Sequence, residues 1–291
     1  MQAVSNLARG TYGLRIEGLV NPIGLLSNVP ETWPLLTIVQ ETGDLGRGER
    51  PVGAIRIREH DAHMWLADDT RFAMTRDPLT LRIVSSRPMT DEALLHPYLA
   101  LPAATASWWL GRQVLHGAAF AHRGQAWGIL GDREAGKSST LAALVHAGAA
   151  PLSDDLLVVE ELTLFAGPAH IDLREDASRV LGGSYIGTVG NRERWRMRHD
   201  SISVALPLGG FVVLDWGSSI QIQTVGVHER LPYLARSSEL ALGPATGRSL
   251  LELLTLPLWR AARPRDYEAI SAFAATLLGA IDQVCARNQA P

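Results

Sequence analysis

The segment Gly131-Asp132-Arg133-Glu134-Ala135-Gly136-Lys137-Ser138 fits the pattern G-x-x-x-x-G-K-[ST]. It constrains the fold more than any other stretch, because such a loop works only between a strand and a helix. Both neighbours are legible. Gln125 to Leu130 is a strand with an apolar centre at Ala126 to Leu130. Ser138 to His146 carries Leu141, Leu144 and Val145 at helical spacing, and Gly148 is suited to close that helix. A loop of this kind turns its backbone N–H groups inward at the positive end of the helix dipole, where phosphate oxygens accept from them. The lysine adds a point charge for the β- and γ-phosphates, and the serine hydroxyl is a magnesium ligand. The expected cofactors are ATP, or another nucleoside triphosphate, and Mg²⁺. The expected contacts are Gly131, Asp132, Arg133, Glu134, Ala135, Gly136, Lys137, Ser138 and the following Ser139.

Composition narrows the partners. The chain has 291 residues, 46% of them apolar, which is ample material for a packed core. Its 27 basic and 30 acidic side chains leave a net charge of −3, so no domain-wide basic excess points to nucleic acid. The single cysteine, Cys285, excludes a disulfide framework and fits a reducing compartment. The longest uncharged stretches, Ala93 to Gly111 and Ser138 to Ser153, do not offer the roughly 18 consecutive apolar residues of a membrane span. Met1 to Gly13 has no apolar run long enough for a signal peptide. The expectation is a cytoplasmic protein with no nucleic-acid and no membrane partner.

Two domains are expected. Residues 1–93 form a small β-rich domain, with strands at Leu35–Val39, Ala54–Arg58, Met64–Ala67 and Leu79–Val84, punctuated by Gly43, Asp44, Gly46, Gly48 and Pro51. Residues 94–291 form an α/β domain that holds the loop. It opens with a helical connector, Leu94 to Gln113, broken near Pro97 and Pro102. Val114–Ala121 and Pro151–Glu160 each suggest one apolar strand, and Glu175–Leu181 a helical turn. Gly190–Asp200, the most polar stretch, suggests an exposed loop. Strands are expected at Ile202–Leu206, Phe211–Asp215 and Ile220–Val225, and two helices between Ser249 and Arg287, separated near Pro264.

Two further features align with the loop. Asp154-Asp155 precede the apolar run Leu156–Val159, where adjacent acids are costly unless paired or bound to metal. His116, in Leu115-His116-Gly117, lies 21 positions before Lys137, and Asp155 lies 18 after it. A lone histidine in an apolar strand is usually a satisfied core residue. The run from His116 through Asp155 nevertheless resembles the HPr kinase family, and more closely its relatives that include lasso-peptide kinases and free-serine kinases. That family has Leu-His-Gly, a hairpin, a phosphate loop, a helix, then a Gly and an Asp-Asp pair. Tyr12-Gly13-Leu14-Arg15-Ile16 is similar to the opening strand of the lasso-kinase group. Gly167-Pro168, Ile171-Asp172-Leu173-Arg174 and Pro207-Leu208-Gly209-Gly210 are similar to its later strands. Three positions depart: Arg133 and Glu134 stand where Ser and Gly are common, and Glu175 where the family has Gly after an acid-x-Arg. Glu134 must therefore point outward or pair with Arg133.

The resemblance implies an α/β fold with an HPr-kinase-like core, related to that of PEP carboxykinase, beside the β-rich domain and with C-terminal helices. It implies ATP-dependent transfer of a phosphoryl group to a serine hydroxyl. Asp155 would be the base, His116 would orient it, and Lys137 would hold the phosphates. Arg174 would neutralise developing charge, and Ser138 with Asp154 or Asp172 would hold Mg²⁺. The acceptor is a peptide, such as a lasso-type precursor, or a small molecule such as free serine. The Arg192–Arg198 stretch around Trp195 is either a closure over an acidic acceptor or a solvated loop. A nucleotide-hydrolysing switch without an acceptor and a carboxykinase-like enzyme acting on a small acid are the rival readings. Members of this family assemble into oligomers, but no stretch of this sequence marks an interface.

Overall fold

The computed structural model describes residues 8–20, 24–43, 54–66, 70–189, 192–200, 203–238 and 247–288. Asp44, Gly46, Gly48, Pro51, Ala67, Gly190 and Ile202, which mark turns or ends of expected elements, lie outside the described residues.

The N-terminal part is one eight-stranded sheet. Its strands are β1 (Ala8–Thr11), β2 (Leu14–Glu17), β3 (Ser27–Val29), β4 (Leu35–Thr42), β5 (Ile55–Ile57), β6 (Asp61–Trp65), β7 (Arg71–Thr75) and β8 (Thr80–Ser85), ordered β3-β1-β2-β4-β8-β7-β6-β5. In β6 and β7 alternate residues are buried, as expected of a sheet with one packed face. Tyr12-Gly13 does not continue an opening strand. Both residues have positive φ, 56° and 73°, and they turn the chain between β1 and β2. The buried face packs on Leu94, Leu95, Leu99 and Trp109 of the connector, and on Val114, Leu156 and Phe165 of the next sheet.

The connector comprises a single turn, α1 (Asp91–Ala93), an irregular turn Leu94–Tyr98, and α2 (Ala100–Trp109). The break falls at Pro97. Pro102 does not break α2, because it lies in the first turn, where no N–H has an intrahelical partner to lose.

The second sheet contains β9 (Gln113–His116), β10 (Ala118–His122), β11 (Gln125–Leu130), β12 (Ala150–Ser153), β13 (Leu156–Glu160), β14 (Thr163–Phe165), β18 (Ala205–Trp216), β19 (Gln221–Thr224) and β20 (Leu258–Arg263). A separate three-stranded sheet has the order β15 (His170–Leu173), β17 (Arg192–Arg198), β16 (Ser184–Val189). The helices are α3 (Lys137–His146), α4 (Glu175–Leu181), α5 (Arg230–Arg236), α6 (Gly247–Thr255) and α7 (Ile270–Asn288). β11, β18 and β20 run parallel, with Leu130 opposite Val213 and Trp216 opposite Arg263. Leu141 and Leu144 of α3 join Phe273, Leu277 and Ile281 of α7 on one face of this sheet. Leu234 of α5 and Leu253 of α6 belong to the cluster that also holds Phe211 and Leu130. Among the described residues no helix is long and apolar enough to cross a membrane.

Several expected elements are corrected. Val114–Ala121 is two strands, since Gly117 lets the chain leave β13 for β11: a Cβ there would meet the Ile129 carbonyl oxygen at 2.6 Å. Pro151–Glu160 is also two strands, split at Asp154-Asp155, where Asp155 has φ 83°. The arginine-rich stretch is strand β17 and not an exposed loop, with Arg194 and Arg196 only 5% and 3% exposed. β18 is one strand through Ala205–Trp216, and β20 stands between the two C-terminal helices where no strand was expected. Gly117→Ala is expected to destabilise the fold by about 1–3 kcal/mol, the usual cost of overpacking. Urea unfolding checks this, with the loss expected as a lower midpoint.

Candidate active site

The Gly131–Ser138 segment joins β11 to α3, as its sequence requires. Glu134 and Gly136 have positive φ, 69° and 83°, and the helix starts directly after them. Only a glycine adopts the Gly136 conformation freely, and a side chain there would also meet Arg263 Nη2 at 2.6 Å. Lys137, nearly buried, donates from Nζ to the carbonyl oxygens of Gly131 (2.9 Å) and Asp132 (3.1 Å). The ammonium thus lies in the curl of the loop. The first N–H groups of α3 have no intrahelical acceptors and carry the positive end of the helix dipole.

The two acids take different roles. Asp154 is buried and accepts from Ser138 Oγ at Oδ1 (2.9 Å) and from the Asp172 backbone N–H at Oδ2 (3.1 Å). Burial, followed by the neighbouring Asp155 charge, pushes its carboxyl up to about 6. Asp155 is more open, its side chain 38% exposed, and Oδ1 lies 3.5 Å from His116 Nδ1. His116 is fixed from behind, since its backbone N–H donates to the Ser237 carbonyl at 2.6 Å. The Gly117 N–H donates in turn to the Asp155 carbonyl at 3.1 Å. The strand break at Gly117 and the kink at Asp155 therefore hold His116 and Asp155 together.

Asp172, expected as a candidate magnesium ligand, is otherwise engaged. Arg196 grips both its oxygens, Nε to Oδ1 at 2.7 Å and Nη2 to Oδ2 at 2.9 Å, and Arg194 Nη1 adds a contact to Oδ2 at 3.4 Å. Burial raises the Asp172 pKa, but the Arg196 hydrogen bond and the charges of Arg196 and Arg194 outweigh it, so it lies below the ordinary value. His96, His170 and Asp172 offer atoms within 4.8 Å of one another. Burial pushes His96 down to about 4 and His170 well below its ordinary value, so both imidazoles are neutral at pH 7 and the arginines supply the counter-charge. Asp172 thus anchors β17, and its backbone N–H bonds to Asp154.

Glu134 does not pair with Arg133. It accepts from Arg174 Nη2 at 2.8 Å, and this hydrogen bond holds its carboxyl below the ordinary range. Arg174 therefore sits at the rim of the loop, bonded to a carboxylate.

One open cavity of about 1220 Å³ gathers most of the expected residues: His116, Arg133, Glu134, Gly136, Lys137, Ser138, Ser139, Asp154, Asp155, Asp172 and Arg174 all line it. Gly131, Asp132 and Ala135 do not; the first two hold Lys137 through their carbonyls, and Ala135 is buried beneath. The sequence reading missed Trp216, Arg263, Arg265 and Tyr267, which line the same cavity. The available signal was the apolar run Leu258-Trp259 ahead of Arg263, had it been recognised as a strand parallel to β18. Trp195 and Arg192 also face the cavity, so the arginine-rich stretch borders it as a strand.

No family model matches the chain, and no curated protein matches it. Among solved structures, the Hpr(Ser) kinase/phosphatase from Coxiella burnetii is similar, with 13% sequence identity and a TM-score of 0.31 over 59% of this chain and 98% of that one.

Asp172→Asn leaves two buried guanidinium groups without their carboxylate. A loss of about 3–5 kcal/mol at pH 7 is expected, as for a broken buried pair. Because the folded pKa of Asp172 is depressed, its contribution is present above the ordinary carboxylate value and is lost as the pH falls below it. The difference between wild type and variant should therefore shrink in acid, which urea titrations at neutral and acidic pH will measure.

Proposed function

We propose that this protein transfers the terminal phosphoryl group of a nucleoside triphosphate to a hydroxyl group. One observation carries the reading. Lys137 and Ser138 open a helix in the same cavity as two acids, with Ser138 Oγ bonded to the buried Asp154 at 2.9 Å and Asp155 beside it.

The donors fit magnesium. A hydroxyl and a carboxylate are hard oxygen ligands, and Ser138 Oγ and Asp154 Oδ1 stand 2.9 Å apart in the cavity wall. Ser138 and Asp154 would hold the ion, which when bound neutralises charge on the β- and γ-phosphates. Lys137 exchanges its carbonyl partners for phosphate oxygens. Asp155 accepts the proton of the attacking hydroxyl as its oxygen bonds to the γ-phosphorus, and the bond from that phosphorus to the bridging oxygen breaks to release the diphosphate. His116 orients the Asp155 carboxylate from 3.5 Å. Arg174 stands at the rim, where release from Glu134 would free it for the transferred group. Positioning and charge supply most of the rate in such a reaction.

The acceptor in this reading is a serine hydroxyl on a peptide, with free serine as the small-molecule alternative. The size of the cavity and the presence of Arg192 and Trp195 in its wall support an acceptor larger than water. The family resemblance of the His116–Asp155 run supports serine.

Asp155→Asn should retain Mg·ATP binding and lower transfer by about 10²-fold or more, the scale of lost general-base catalysis. γ-Labelled ATP incubated with free serine and with serine-containing peptides checks this. Full transfer by the variant would remove Asp155 from the base role, and labelled phosphate in water with no labelled acceptor would favour the hydrolytic switch.

A further inference from the structure

The cavity has two chemically distinct sides. β11 carries the loop at its carboxyl end. On one flank lie β10 and β12, followed by Asp154 and Asp155; on the other lie β18 and β20, which end in Trp216 and Arg263. Ligands of open α/β sheets bind outside the carboxyl ends of parallel strands. The second flank is aromatic and cationic where the first is acidic, and the proposed mechanism does not use it.

The indole of Trp216 is held against the loop. Its Cη2 lies 3.4 Å from where a Cβ on Gly136 would stand. The Arg263 guanidinium carbon is 4.5 Å from the ring centroid, and that of Arg265 is 5.5 Å. Arg263 is 3% exposed, donates from Nη1 to the Pro264 carbonyl at 3.2 Å, and leaves a buried Nε without a partner. It is a fixed prop, with the Phe273 ring centroid also 5.8 Å from its guanidinium carbon. Arg265, by contrast, is exposed. The segment that carries it crosses the start of α3, for Tyr267 bonds to the Ser139 side chain and to Asp176. A chain of phosphates that continues from Lys137 and Ser138 past Ser139 would therefore meet the part of the cavity wall that Tyr267, Arg265 and Trp216 line.

Resting on the reading of the Gly131–Ser138 loop as a triphosphate cradle, we propose that Trp216 and Arg265 form the base-binding half of the site, stacking a purine. An indole and a guanidinium plane both stack on the faces of bases, and such stacking tolerates any base that offers enough area. The acidic flank is then left to the acceptor, so base and acceptor approach the phosphates from opposite sides.

Calorimetric titration of the full chain with Mg·ATP and, separately, with magnesium tripolyphosphate tests this. Arg265→Ala, at an exposed position, and Trp216→Leu should each weaken Mg·ATP binding about tenfold, the scale of one lost stacking partner, while tripolyphosphate binding stays unchanged. Unchanged ATP affinity in Arg265→Ala, or equal losses for both ligands, would overturn the proposal. If wild type binds tripolyphosphate as tightly as ATP, the base subsite falls and the cradle stands. If wild type binds neither, both fall.

Discussion

The buried carboxylate of Asp154 is where three elements meet. It follows β12, takes a hydrogen bond from the first turn of α3 through Ser138, and takes another from the backbone of β15 at Asp172. Each of its oxygens has a partner, which is what makes a buried acid tolerable. The helix is thereby registered against the sheet at the residue that ends the glycine-rich loop. Without that link the loop would be a turn between a strand and a helix, with nothing to place it beside Asp155.

A second layer holds this one. Asp172 can offer its N–H because its side chain is clamped by Arg196 and Arg194. Arg196 and Arg198 also bond to Glu92, at the start of the connector from the N-terminal sheet. The β-rich part and the loop-bearing part thus share the same group of charges, as they share the hydrophobic cluster that contains Tyr12, Trp109 and Phe165. Buried arginine–carboxylate groups contribute little net stability compared with apolar packing. Their effect here is geometric, since Asp172 and Arg194 belong to the wall of the cavity that also holds Lys137.

Much of the site was legible because its chemistry is local. A strand, a glycine-bearing loop and a helix follow one another directly in sequence, and the run from His116 to Asp155 lies within that unit. What was hidden depends on pairing across the chain. Arg192, Arg194, Arg196 and Arg198 alternate with other residues, a pattern that serves a solvated loop or a strand equally well. The distant carboxylates of Asp172 and Glu92, with the Val189 carbonyl and His96, make burial of Arg194 and Arg196 tolerable. The breaks at Gly117 and Asp155 fall inside stretches that each read as a single strand. At Gly117 the deciding factor is the Ile129 carbonyl, which leaves no room for a Cβ, and at Asp155 it is a backbone φ of 83°. β20 was missed because six residues between two helices carry no period strong enough to separate strand from helix. With it went Arg263 and the aromatic flank of the cavity.

The central claim is that the curl of backbone around Lys137 receives a triphosphate. Titrating Mg·ATP into the wild-type chain and into Lys137→Met, with heat as the readout, tests it most directly. The account predicts saturable binding of one nucleotide per chain in the wild type and none in the variant. Absence of saturable heat in the wild type, or the same isotherm from both proteins, would contradict it.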